Sequence, residues 1–129
     1  MRILIDTQCW LWMNASPERL SERTRRLVLQ RTTERLLSTA SVWEISIKYR
    51  LGKLPLPCDP AEYLPDRMML TRARPLPISV EHAVRAGSLP PLHRDPFDRM
   101  LVAQALVEGI ALLSSERQLD GYGVRRLAP

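Results

Sequence analysis

At 129 residues, with 45% hydrophobic side chains, the chain is long enough to bury a core without disulfide or metal staples and reads as one domain over 1–129. Cys9 and Cys58 form no C-x-x-C pair and have no histidine at ligand spacing, which excludes a zinc framework and a disulfide scaffold and makes a reduced cytoplasm the expected location. The formal charge of +5, with 17 of the 19 basic residues arginine, suits a polyanionic partner or simply solvated helix faces.

"MRILIDTQCW" reaches Asp6 before a signal-peptide core could form, and "RILID" (2–6) reads as a strand ended by an acid. "SPERLSERTRRLVLQ" follows "TQCWLW" as an amphipathic helix opened by Ser16 and Pro17. "RLLST" (35–39) is a second buried strand. "SVWEISIKYRLGK" is then a helix with Ser41 as its expected cap, Glu44 at capping-box distance and Gly52 as its stop. The proline-dense middle predicts a helix over 61–70 and a short strand over 74–78. "SVEHAVRAG" reads as a brief helix stopped by Gly87, "SLPPLHR" as a loop, and Asp95 to Gly109 as the longest periodic helix. "IALLSS" (110–115) and "YGVRRL" are the last strands. The longest apolar stretch, Met100 to Leu113, is interrupted by Gln104 and Glu108, so no membrane segment is expected. Strands alternating with helices predict an α/β fold: a central, mostly parallel sheet of about five strands covered on both faces, a three-layer α/β/α sandwich.

"HRDPFDRMLVAQA" raises a chemical question. Asp95 caps the long helix and Pro96 fills its first turn, which leaves Asp98 without a capping task. Asp6 closes the first strand, Glu44 lies in the opening turns of a helix, and Glu116 follows "IALLSS" directly. In a parallel sheet such residues gather beyond the carboxyl ends of the strands. Carboxylates brought together without counterions resist joint ionisation, and a divalent cation resolves the conflict. Hard oxygen donors suit Mg²⁺ or Mn²⁺ together with substrate phosphate oxygens, and the chemistry implied is phosphodiester hydrolysis by metal-activated water. Three of these acids also have a plain alternative: a turn cap for Asp6, a capping box for Glu44, a solvated turn for Glu116. A phosphatase with Asp6 as nucleophile lacks the second aspartate two residues on, where Gln8 stands.

The stretches "LIDTQCWLW", "STASVWEISIKYRLGKL", "HRDPFDRMLVAQA" and "ALLSSERQLDGYGV" together resemble the PIN-domain ribonucleases of the VapC toxin type over nearly the whole chain. The resemblance implies a Mg²⁺- or Mn²⁺-dependent endoribonuclease acting as the toxin of a toxin–antitoxin pair. Its implied partners are an RNA substrate, a cognate antitoxin that wraps it and blocks the acidic pocket, and a second copy in a homodimer, with no membrane. Carried over by position, the catalytic and metal-binding residues are Asp6, Glu44, Asp98 and Glu116, with glutamate at 116 where the family usually has aspartate. That departure leaves open a catalytically impaired RNA- or antitoxin-binding module. Asp120 is a further acid for the same rim, and Thr7 and Ser115 are hydroxyls suited to orienting water. His93, Arg94 and Arg99 could contact phosphate or serve their own turns and ion pairs. Trp10, Trp12 and Trp43 are expected to pack against helices or a second subunit rather than stack on bases.

Overall fold

The computed structural model describes residues 1–129. In chain order it contains β1 (Arg2–Ile5), α1 (Thr7–Ala15), α2 (Glu22–Leu29), β2 (Glu34–Ser38), α3 (Thr39–Arg50), α4 (Pro60–Thr71), β3 (Ala73–Leu76), α5 (Val80–Ser88), α6 (Pro96–Glu108), β4 (Ala111–Leu113) and β5 (Arg126–Leu127). Two 3-10 segments, Pro17–Arg19 and Arg117–Tyr122, complete it. The five strands form one sheet in the order β3-β2-β1-β4-β5, with every neighbouring pair parallel.

The short apolar strands alternate their side chains between two helical layers. Ile3, Ile5, Leu37 and Leu113 face Cys9 and Trp10 of α1, Val28 of α2, Ile45 of α3, and Tyr63 and Leu64 of α4. Leu4, Leu36, Leu76 and Leu112 face the opposite way, onto Leu89 and onto Leu101, Val102 and Ala105 of α6. Burial on both sides is why these strands read as continuous apolar runs. Trp10 lies wholly in the core, whereas Trp43 stays 62% exposed with Phe97 edge-on to it.

Several local expectations shift. A helix α1 begins immediately after Asp6, in a stretch to which the sequence assigns no element. The helix expected from Ser16 is split, because Leu20 takes an extended conformation and turns into the core, and Ser21 then caps α2 by accepting from the Thr24 amide. α3 is capped by Ser38, not Ser41: the Ser38 hydroxyl accepts from the Ala40 amide, and the helix starts at Thr39. Glu44 therefore sits in the second turn, out of reach of a capping box. Gly52, with φ of +70°, ends α3 as expected, whereas α5 runs through Gly87 to Ser88.

Strand order fixes where chemistry can gather. From β1 the chain moves outward through β2 to β3, then crosses back through α5 and α6 to place β4 on the other side of β1. The carboxyl ends of β1 and β4 flank this reversal, where connections diverge and leave a crevice. No helix is long and apolar enough to cross a membrane.

Candidate active site

A cleft of about 290 Å³ opens at that reversal, lined by Asp6, Thr7, Gln8, Leu11, Glu44, Lys48, Lys53, Leu54, Asp95, Asp98, Ser115 and Glu116. All four acids singled out from the sequence are among its walls.

Asp6 follows β1 directly, and its amide donates to the Leu113 carbonyl of β4 at 3.0 Å, which ties it to both strands at the reversal. Its Oδ1 caps α1 by accepting from the Cys9 amide at 2.7 Å. The residue is 4% exposed, and this burial raises its pKa above the ordinary aspartate value. Hydrogen bonds from Ser114 and Cys9 work in the other direction, and the charge of Glu44 adds to the rise.

Glu44 projects from α3 and is also buried. Thr7 Oγ1 lies 2.6 Å from Glu44 Oε1 and 2.8 Å from Ser41 Oγ. Thr7 has one proton, which the carboxylate claims, so Ser41 donates to Thr7 in turn. The other oxygen, Oε2, accepts from the Lys48 ammonium at 2.5 Å, one helical turn on. This ion pair raises the Lys48 pKa through its hydrogen bond, against desolvation, with the charges of Glu44, Asp95 and Asp98 adding to the rise.

Asp98 stands in the first turn of α6, behind the Asp95 cap whose Oδ1 accepts from the Phe97 and Asp98 amides. Desolvation, reinforced by the charges of Asp95 and Asp6, pushes its pKa up to about 6. The His93 hydrogen bond opposes that rise. His93 Nε2 lies 2.8 Å from Asp98 Oδ2, and His93 Nδ1 lies 2.9 Å from Gln118 Oε1. Burial lowers the His93 pKa, but the bonds to Asp98 and Gln118 outweigh it and the net shift is upward. His93 thus bridges the start of α6 to the 3-10 segment after β4.

Glu116 occupies the turn after β4; its amide donates to Ser114 Oγ at 3.1 Å, and its exposed carboxylate has no ion-pair partner. Asp120 is directed elsewhere, paired with Arg126 at 2.7 Å, because the return into β5 brings that guanidinium across it. Thr7 and Ser115 line the cleft. Arg99 does not: its Nη1 donates to the Pro90 and His93 carbonyls and to the Tyr122 hydroxyl, and its Nη2 to the Ala86 and Leu89 carbonyls. It clamps the loop that carries His93. Arg94 is exposed and makes no ion pair.

Sequence reasoning missed the two lysines. Lys48 and Lys53 are the only lysines in the chain, both line the cleft, and no arginine does. The signal was present as the spacing of Glu44 and Lys48, which puts them on one helix face. The arginines gather elsewhere: Arg25, Arg31, Arg35 and Arg72 line a second cavity of about 270 Å³ with no acid in its walls. Arg35 pairs in register with Ile3, so that cavity lies toward the amino end of the sheet, away from Asp6.

His93, Asp95 and Asp98 form the tightest potential ligand group, with ligand atoms within 4.8 Å of one another. Both His93 nitrogens and Asp95 Oδ1 already have partners. The carboxylates of Asp6, Glu44 and Glu116 face the same cleft at wider spacing. Such a donor set fits a hard cation that keeps several waters and takes only one or two carboxylates directly, as Mg²⁺ does.

The sequence matches the PIN domain over residues 3–124, and the chain belongs to that family. It is 53% identical over 60 residues to Ribonuclease VapC16 of Mycobacterium tuberculosis, an alignment covering 46% of this chain and 41% of that protein. The chain thus spans about two-fifths of the length of the curated relative it matches. Its fold is similar to VapBC2 from Rickettsia felis bound to a promoter DNA fragment, at a TM-score of 0.74 with 12% identity, covering 100% of this chain and 99% of that one. It is also similar to FitAcB from Neisseria gonorrhoeae, at a TM-score of 0.66 with 20% identity, covering 97% and 96%.

Proposed function

We propose that the protein is a metal-dependent endoribonuclease that acts as the toxin of a toxin–antitoxin pair, with Asp6, Glu44, Asp98 and Glu116 as its catalytic and metal-binding residues. The observation that carries this reading is the convergence of these carboxylates on one cleft at the point where strand order reverses. The ribonuclease relative and the VapBC folds support it.

Mg²⁺ or Mn²⁺ bound there supplies an activated water and neutralises charge on the departing oxygen. Asp6 offers a carboxylate oxygen from the end of β1, and Asp98 offers one from the first turn of α6. Both have raised proton affinities, so a nearby cation would favour their ionised forms and relieve the repulsion between them. Glu44 is fixed by Thr7, and Glu116 reaches into the cleft from the turn after β4 through one more methylene than aspartate, which suits contact through water. The Lys48 and Lys53 ammoniums are the cleft's own attraction for an incoming phosphate. No aromatic side chain lines the cleft, so it grips the phosphodiester backbone and not the bases. A protein antitoxin and a second copy of the chain are the proposed partners.

Purified protein is expected to cut RNA in Mg²⁺ or Mn²⁺, to stop in EDTA, and to lose cleavage in Asp6→Asn and Asp98→Asn. Cleavage that survives in either variant with unchanged metal dependence refutes the mechanism. RNA binding without turnover, together with no calorimetric Mn²⁺ binding that disappears in Asp98→Asn, would instead support the impaired module.

A further inference from the structure

We propose that Lys48 is a tethered counter-cation of Glu44 which a divalent ion must displace, so that this one side chain sets the metal affinity of the cleft. The inference rests on the metal-dependent reading above and concerns a residue to which that reading assigns no part in holding the ion.

Glu44 is nearly immobile. Its side chain is 7% exposed, and Oε1 is held by the Thr7 hydroxyl, itself backed by Ser41. Oε2 has no partner from the core, and Lys48 Nζ covers it at 2.5 Å. An ammonium at hydrogen-bond distance from Oε2 opposes a cation at the same atom by charge and occupies one of its lone-pair sites.

The two partners differ in mobility. The Lys48 side chain is 46% exposed and reaches the carboxylate from the solvent side, so its head can swing out on its four-carbon stem without disturbing core packing. The carboxylate cannot follow.

The residue type is consistent with exchange. The chain uses arginine at 17 of its 19 basic positions, yet the cleft holds both lysines and no arginine. A guanidinium would engage the carboxylate through two parallel bonds in a planar fork and resist displacement. An ammonium is a compact point charge that exchanges one set of acceptors for another. The charges of Asp95 and Asp98 also favour the ammonium at this place, so without metal it relieves part of the repulsion among the acids. Once displaced, the ammonium remains at the cleft rim, where an RNA phosphate would meet it.

The test is Mn²⁺ titration calorimetry on the full chain without RNA, comparing wild type with Lys48→Met, Lys48→Arg and Lys53→Met. Lys48→Met is expected to bind Mn²⁺ about tenfold tighter, in line with removing a competing unit charge at contact distance in a half-exposed site. Lys48→Arg is expected to bind more weakly than wild type although the net charge is unchanged. Lys53→Met, which removes the same charge from the same cleft, is expected to gain much less than Lys48→Met. In EDTA, Lys48→Met is expected to melt below wild type, and Mn²⁺ is expected to reverse the order.

Wild type that binds Mn²⁺ with no tightening in Lys48→Met overturns the role of Lys48 and leaves the metal reading standing. Equal gains in Lys48→Met and Lys53→Met also overturn it, since a general field effect would then suffice. Absence of Mn²⁺ binding in wild type and all variants overturns the metal reading and this inference with it.

Discussion

Asp98 should make the metal-free protein less stable at neutral pH than an otherwise identical chain without its charge. The displacement of its pKa from 3.8 to about 6 corresponds to about 3 kcal/mol, at about 1.4 kcal/mol per tenfold change in proton affinity. The folded state holds the Asp98 proton more tightly than the unfolded chain. The group's favourable contribution is therefore complete below about pH 3.8 and is lost as pH rises through about 6. The Asp98 side chain is only 20% exposed, so little of this is screened by water. Asp98→Asn removes the charge while keeping an oxygen to accept from His93. In EDTA at pH 7.5 the variant should gain up to about 3 kcal/mol, or roughly 10 °C in melting temperature for a chain of this length. The gap should shrink as pH falls and be nearly closed by pH 4. Thermal melts of both proteins across that range in EDTA test the reasoning directly. A variant no more stable than wild type at pH 7.5, or a gap independent of pH, refutes it.

His93→Ala removes the hydrogen bond that opposes desolvation at Asp98, so the Asp98 carboxyl should titrate above about 6 in the metal-free protein when followed by carboxyl NMR; an unchanged or lower midpoint would refute its stated role. Arg99→Lys replaces a guanidinium that donates to four carbonyls and a hydroxyl by an ammonium that cannot reach them all. It should lose about 2 kcal/mol in urea unfolding, with faster amide exchange over 86–93. Glu116→Gln should lower Mn²⁺-dependent cleavage by about tenfold, the lower end for groups that act through a ligand's water, and by less than Asp98→Asn. Equal losses would make Glu116 a direct ligand.

Much of this molecule is encoded locally. The paired apolar faces of "RILI" and "ALL", Asp6 at a strand end, Pro96 in a first turn and Gly52 past a last one all act through neighbours within about one turn of chain, so sequence spacing suffices to find them. The caps of α2 and α3 differ from the expected serines for a related reason. Several serines compete within a few residues, and burial of Leu20 and Ser41 decided between them.

The alternation of strands with helices and the acids at the strand ends are legible in the chain alone, because periodicity and capping are short-range physics. That β4 lies beside β1, which brings Glu116 to the cleft of Asp6, and that Asp120 is drawn off by Arg126, emerge from the packing of the whole fold. The same holds for the bridge from Asp98 through His93 to Gln118 and for the Arg99 clamp on its loop. Those contacts join residues whose separation along the chain carries no periodic signal. They exist because burying both faces of a parallel sheet forces the crossover that folds one half of the chain back against the other.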